Sequence, residues 1–242
     1  MTLLTLKNYL RYCLVLCVQI GLFFRKNKNE STYVFHHLPK CGGTSLRKSL
    51  KELKNMYNDY RVGWGSLYPI KYPISRFGYK DCLAGHFELE GNFLFQRYPE
   101  IFDNRRFILF TFIRHPLSLA ISYYYYRLKQ GEKVDSDIRK HLQKTGNYLS
   151  KVLNVNSQNY KKILDRYDFI GIFEEYDESL AQLSTLLGIE SLNEKNINKA
   201  KTNDLLNSIT QEDIDQFEIQ NDLDFVIYKY CLNRFKNKKC LT

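Results

Sequence analysis

The segment Arg106–Ile113 (RFILFTFI) constrains this chain more than any other. After Arg106 it is apolar at every position except Thr111. A strand of that composition offers water no polar face, so it must be covered on both sides, as the central strands of parallel sheets are. Arg114-His115-Pro116 ends the run, and Pro116 suits the first turn of a helix predicted to run through Ser122 to about Lys129. Three further strands are expected at Thr32–His37 (TYVFHH), Asp81–His86 and Phe169–Phe173 (FIGIF). Between them, Thr44 or Ser45 caps a helix reaching about Lys54. Tyr176–Leu187 places Leu180, Leu183, Leu186 and Leu187 on one helical face, with Gly188 at its end. The tail from Gln211 to Phe235 reads as helical, with Phe217, Phe225, Ile227, Tyr228 and Cys231 as buried candidates. Residues 55–80 read as loop with little regular structure, and 131–144 as a polar surface lid or loop. Strands alternating with helices predict an α/β fold, a central parallel sheet flanked by helices.

A chain of 242 residues can bury a full core without a disulfide or metal scaffold. With 44% hydrophobic and 26% charged residues, a disordered chain, a collagen, a coiled coil and a polytopic membrane protein are excluded. The net charge of +10 favours a polyanionic partner: nucleic acid, anionic lipid, a sulfated or phosphorylated glycan, or nucleotide phosphates. It does not choose among them. The six cysteines, at 13, 17, 41, 82, 231 and 240, form no CxxC pair, so no structural zinc site is expected.

The stretch Cys13–Phe24 is apolar except for Gln19 and Gly21, with Lys7 and Arg11 before it and Arg25, Lys26 and Lys28 after it. It falls short of the roughly 18–20 residues needed to span a bilayer as a helix. Three readings stay open: a helix packed on the domain or lying at a membrane surface, a short type II anchor, and a signal-like segment. Residues 1–30 are therefore set apart from a single domain over 31–242. Membrane association through residues 13–24 and a cytoplasmic location are both compatible with the sequence.

The chemistry concentrates in Phe35-His-His-Leu-Pro-Lys-Cys-Gly-Gly-Thr-Ser-Leu46. A strand feeds a Gly-containing loop, and the loop feeds a helix. This order presents backbone N–H groups and a helix N-terminus to a phosphate. Gly42 and Gly43 let the backbone approach an anion, Thr44 and Ser45 add hydroxyl donors, and Lys40 adds a cation. The Walker A pattern does not fit, because its Lys follows the second Gly whereas Lys40 precedes both. No arrangement for Mg²⁺ accompanies the loop. Arg114, at the tip of the strong strand, and Ser122, eight residues on, can grip one phosphate from two sides.

These two segments resemble sulfotransferases that use 3′-phosphoadenosine 5′-phosphosulfate (PAPS). PKCGGTSL is similar to their 5′-phosphosulfate loop, and TFIRHPLSLAISYYY to their 3′-phosphate segment with the same Arg/Ser spacing. The branch that the chain resembles is that of carbohydrate sulfotransferases similar to heparan sulfate 2-O-sulfotransferase. The shared elements there are the HxPKxGGTS loop, a Gly-His pair (Gly85-His86), a Gly-x-x-Glu stretch (Gly171–Glu174) and an Asn-x-Gln element (Asn156–Gln158). Matching elements extend from about residue 33 to 188.

The resemblance implies that Lys40 contacts the transferring sulfonate and its bridging oxygen. It gives the 5′-phosphate to Gly42, Gly43, Thr44 and Ser45, with Cys41 inside the same loop. It gives the 3′-phosphate to Arg114 and Ser122, and the acceptor's proton to His86 as general base. The acceptor is then a hydroxyl, on a glycan, with no nucleic acid partner and no metal. Cys41 stands where Thr is more usual, and His115 where an acidic residue or Asn is common. His36, His37 and His115 compete with His86 as base.

Three other functions fit parts of the pattern. Cys41 and Arg47 have the Cys-x5-Arg spacing of cysteine phosphatases. An ATP-dependent small-molecule kinase would use the same strand–loop–helix. A non-catalytic polyanion-binding protein would keep the fold alone.

Overall fold

The computed structural model describes residues 13–14, 16–26, 30–61, 68–135, 137–192 and 208–239. Lys7, Arg11, Lys28 and Cys240, named above, lie outside them. Five strands form one sheet: β1 (Thr32–His36), β2 (Asn55–Asp59), β3 (Asp81–Gly85), β4 (Phe107–Ile113) and β5 (Phe169–Ile172). Their order is β2-β3-β1-β4-β5, in a central parallel sheet flanked by helices, as the apolar strands require. Tyr33 pairs with Cys82 and His36 with Gly85, which brings the ends of β1 and β3 level.

The chain divides into two compact units. The first takes in Met1–His37 and Leu50–Phe110. Its core is built on Val34, Phe35, Leu83, Phe87, Tyr98 and Phe110, all at most 1% exposed, with Phe35 stacked on Phe110 at 5.2 Å. Residues 16–23 are helical in this unit. That helix turns Leu22 and Gln19 inward, where the Gln19 amide donates to the Ile70 carbonyl. Arg25 then pairs with Asp81 at 3.1 Å. Among the described residues no helix is long and apolar enough to cross a membrane.

The irregular segment expected over 55–80 contains β2. Its sequence, NMYND, is poor in strand formers, yet Tyr57 and Asp59 alternate inward at an edge. Asp59 is fully buried and accepts from Arg97, whose Nε and Nη2 donate at 2.7 and 3.0 Å, and from the Tyr98 hydroxyl at 2.7 Å. Residue 85 must be glycine here, because a Cβ would stand 2.3 Å from the Asp59 carbonyl oxygen.

The second unit takes in Leu38–Ser49 and Thr111–Thr242. It holds the start of α1 (Gly43–Leu53), then α4 (Pro116–Lys129), with α2 (Leu94–Arg97) and α3 (Glu100–Asp103) belonging to the first unit. There follow α5 (Ile138–Lys144), α6 (Tyr148–Leu153), α7 (Tyr160–Leu164), α8 (Tyr176–Leu187), α9 (Gln211–Gln220) and α10 (Asp222–Lys239). The polar stretch 131–144, expected as a lid or loop, ends in α5. Ile138, His141 and Leu142 recur at helical spacing; Ile138 and Leu142 pack with Ala120, Ile121, Tyr124 and Phe217, His141 lies against the Tyr124 ring, and Asp137 caps the helix start. The expected helical tail is two helices, because Asn221 breaks it and donates to the Thr145 and Phe217 carbonyls. Gly171 in β5 has a packing role: a Cβ there would stand 2.6 Å from the Phe112 ring.

Candidate functional site

The loop after β1 turns through two left-handed residues, Lys40 at φ 65° and Gly42 at φ 81°. Glycine adopts that conformation freely; for lysine it costs about 1 kcal/mol. Gly42 is also closed in. Its carbonyl accepts from Leu46 N and from the Tyr176 hydroxyl at 3.1 Å, and a Cβ would meet Tyr176 at 2.7 Å and Phe173 at 3.0 Å. The turn Phe173–Glu175 and the start of α8 therefore fix the loop's shape. Gly43 opens α1. Thr44 is exposed and Ser45 half-buried in its first turn. That turn carries no acidic residue, and neither does the first turn of α4, so both helix ends keep their positive dipole.

Arg114, at the end of β4, reaches back to this loop. Its Nη1 donates to the Lys40 carbonyl at 3.3 Å, and its guanidinium lies 4.3 Å from the Phe173 ring centre. Its Nε is buried and, among the described residues, has no hydrogen-bond partner. Burial lowers the pKa of both cations, and each feels another positive charge or a distant carboxylate: Arg114 and Lys129 press on Lys40, while Glu174 partly supports Arg114. Glu174 touches neither. It accepts from His115 N and from the Tyr228 hydroxyl, both at 3.0 Å. Among the described residues, neither Lys40 nor Arg114 has an ion pair. Two crowded cations at the heads of two helices are an arrangement that suits a multiply charged anion.

The remaining members divide. Ser122 is buried on α4, 7% exposed, and is not bonded to Arg114. Cys41 is 1% exposed; burial pushes its thiol up to about 12, and its sulfur accepts from Arg114 N. It contributes to the loop's packing, and a thiol raised in this way weighs against the phosphatase reading. Asn156 serves its own turn, its side chain accepting from Gln158 N and Asn159 N.

His86 is described in the first unit, beyond β3. Its Nδ1 donates to the His37 carbonyl, and its ring sits 4.3 Å from His37 and 4.7 Å from Tyr60. Tyr68 donates to the His86 carbonyl at 2.6 Å. With Nδ1 protonated, Nε2 carries the ring's lone pair, the tautomer that a general base requires. The competing histidines are placed differently. His36 is 1% exposed, and burial, with the nearby His86, depresses its pKa to about 3. His37 Nδ1 meets the Tyr60 hydroxyl at 2.9 Å. His115 has its ring against Phe225 and Tyr228, at 5.3 and 5.2 Å. Among the described residues no cluster of three or more metal-ligating side chains occurs.

From sequence the run Tyr123–Tyr126 reads mostly as packing, with one ring near the adenine; the contact it makes at the loop is that of Tyr126, whose ring lies under the Lys40 ammonium at 4.4 Å. Helical spacing already pointed to it, since Tyr126 is one turn beyond Ser122 on the same face of α4.

No family model and no curated protein matches the chain. Two solved structures are similar to it. One is a sulfotransferase from Alicyclobacillus acidocaldarius, 16% identical over 79% of this chain and 96% of that one, with a TM-score of 0.47. The other is mouse sulfotransferase SULT7A1 complexed with PAP, 12% identical over 89% of this chain and 93% of that one, with a TM-score of 0.52. The chain has the sulfotransferase fold. In that fold the loop 38–43 and the β4–α4 turn lie at the ends of adjacent parallel strands, where α/β sheets bind their ligands.

Proposed function

We propose that this chain transfers a sulfonate from PAPS to a hydroxyl of a carbohydrate. The observation that carries the reading is the contact of Arg114 with the Lys40 backbone, which gathers two cations, without an ion pair among the described residues, beside two helix N-termini. PAPS is an anion with charge at both ends, and a 3′-phosphate separates it from ATP. The loop backbone from Gly42 to Ser45 would hold the 5′-phosphate, and Arg114 with Ser122 the 3′-phosphate. PAP in SULT7A1 supports a nucleotide of this class on this fold.

The reaction is an in-line displacement at sulfur. The bond from sulfur to the bridging phosphate oxygen breaks, and its electron pair stays on the leaving bisphosphate. A new bond forms from sulfur to the acceptor oxygen, and the acceptor's proton passes to a general base, the role that the resemblance gives to His86. Lys40 would stabilise the charge growing on the leaving oxygen, a type of contact worth roughly 3–4 kcal/mol. Positioning supplies most of the remainder. The net charge of +10 suits an anionic glycan as acceptor.

The test is transfer of radiolabelled sulfonate from PAPS to a panel of desulfated glycans, with Lys40→Ala and Arg114→Ala alongside. The reading expects transfer by the parent and a loss of at least about 100-fold in each variant. Full turnover by both variants would overturn the site.

A further inference from the structure

We propose that Tyr126 is a positioning residue for Lys40: the face of its ring holds the ammonium at the loop, in the place from which an incoming anion takes it. The consequence for catalysis rests on the sulfonate-transfer reading; the contact itself rests on geometry alone.

Lys40 Nζ lies 4.4 Å from the centre of the Tyr126 ring. The backbone of Lys40 is already committed, through its left-handed turn and the hydrogen bond from Arg114 to its carbonyl. Its side chain leaves that turn half-buried, with the cations of Arg114 and Lys129 near enough to press on it. Burial and those two cations disfavour its positive charge, Cys41 opposing them in part, and among the described residues no carboxylate pairs with the ammonium. The negative face of an aromatic ring is the favourable surface left to it.

The ring is itself held. Tyr126 lies 6.5 Å from Tyr123, and Tyr123 lies 5.9 Å from Tyr148 on α6, so a ladder of three rings runs from the loop cation into the helical layer. Ring and loop belong to the same compact unit.

The choice of a ring over an acid has a chemical consequence. A carboxylate at this point would cancel the charge of Lys40 and repel an anionic donor. An aromatic face steadies the ammonium without neutralising it, and releases it readily to a phosphate or sulfonate oxygen. Tyr126 therefore preserves both the place and the charge of a cation that burial, Arg114 and Lys129 destabilise.

The test compares Tyr126→Leu and Tyr126→Phe with the parent, as the full chain. Competitive acetylation with acetic anhydride between pH 7 and 11, read at the Lys40 peptide by mass spectrometry, reports the charge of that amine with no donor present. The proposal expects Tyr126→Phe to follow the parent. It expects half-labelling of Lys40 in Tyr126→Leu at a pH lower by about half a unit or more. In transfer assays, kcat of Tyr126→Leu should fall about 10-fold, with its alkaline limb moved to lower pH. Affinity for adenosine 3′,5′-bisphosphate should stay within about 2-fold. If the leucine chain melts early, Tyr126→Met is the second ring-free variant. A Lys40 labelling profile unchanged in a folded ring-free variant overturns the proposal. Failure of the parent to bind the bisphosphate would instead defeat the sulfonate reading, and the labelling would still decide the contact.

Discussion

Arg114 donates from Nη1 to the carbonyl oxygen of Lys40 at 3.3 Å, across 74 residues of chain. The loop after β1 and the tip of β4 are thereby tied through a side chain and a backbone group. The tie leaves the remaining guanidinium donors and the Lys40 ammonium for a ligand.

That tie gives a first prediction. Lysine at 114 keeps the charge but cannot serve the Lys40 carbonyl and a phosphate from one planar fork. Arg114→Lys should therefore weaken binding of adenosine 3′,5′-bisphosphate by about 10-fold or more, since hydrogen bonds to charged groups are worth about 1.5–3 kcal/mol. Isothermal titration calorimetry measures it, and parent-like affinity would show that the fork is not used.

The two left-handed residues of the loop should respond in opposite ways. Gly42→Ala sets a Cβ at 2.7 Å from Tyr176 and strains the backbone, so it should cost about 1–3 kcal/mol of stability. Lys40→Gly relieves the left-handed conformation at φ 65° while removing the cation. It should melt no lower than the parent and transfer no sulfonate. Chemical denaturation beside the transfer assay separates the two, and a stability loss for Lys40→Gly as large as for Gly42→Ala would contradict the strain argument.

His36 predicts a dependence on pH. Its folded pKa is depressed from 6.5 to about 3, chiefly by burial. Between those values the unfolded chain binds a proton that the folded chain refuses, so stability must fall as pH falls through this window. Between pH 7 and pH 5 the loss from this group is about 2 kcal/mol. Melting curves of the parent and of His36→Asn should diverge in slope over that range, the variant being flatter. Parallel slopes would mean that His36 does not fold as the neutral ring.

Cys41 separates sulfotransfer from thiol chemistry. Its buried thiol, pushed up to about 12, should resist iodoacetamide in the native chain at pH 7.5. Cys41→Ser should keep transfer within several-fold while costing about 1–3 kcal/mol, because it buries a hydroxyl. Rapid alkylation of native Cys41, or complete loss of transfer in the serine variant, would return the phosphatase reading to consideration.

The apolar strands were legible because burial on both faces leaves a composition with no other use: β1, β3, β4 and β5 lie within a residue or two of their expected limits. The loop was legible because Gly42 answers to backbone conformation, which glycine advertises. β2 was hidden, since Asn55, Asn58 and Asp59 disfavour strands and Asp59 is retained only by Arg97 and Tyr98, partners 38 and 39 residues away. Helix α5 was hidden by its charge, its apolar contacts being three residues in a polar stretch. The aromatic clamp of Phe173 and Tyr176 on Gly42 joins residues more than 130 apart and has no local signature.

The central claim is a site for a nucleotide with a 3′-phosphate, and a thermal-shift titration tests it most directly. The ligands are adenosine 3′,5′-bisphosphate, ADP, and ATP with Mg²⁺, each with and without EDTA. A ligand that binds only the folded chain raises its melting temperature by mass action. The account predicts stabilisation by the bisphosphate, indifferent to EDTA, and lost in Arg114→Ala. Stabilisation by ATP with Mg²⁺ in preference to the bisphosphate would contradict it.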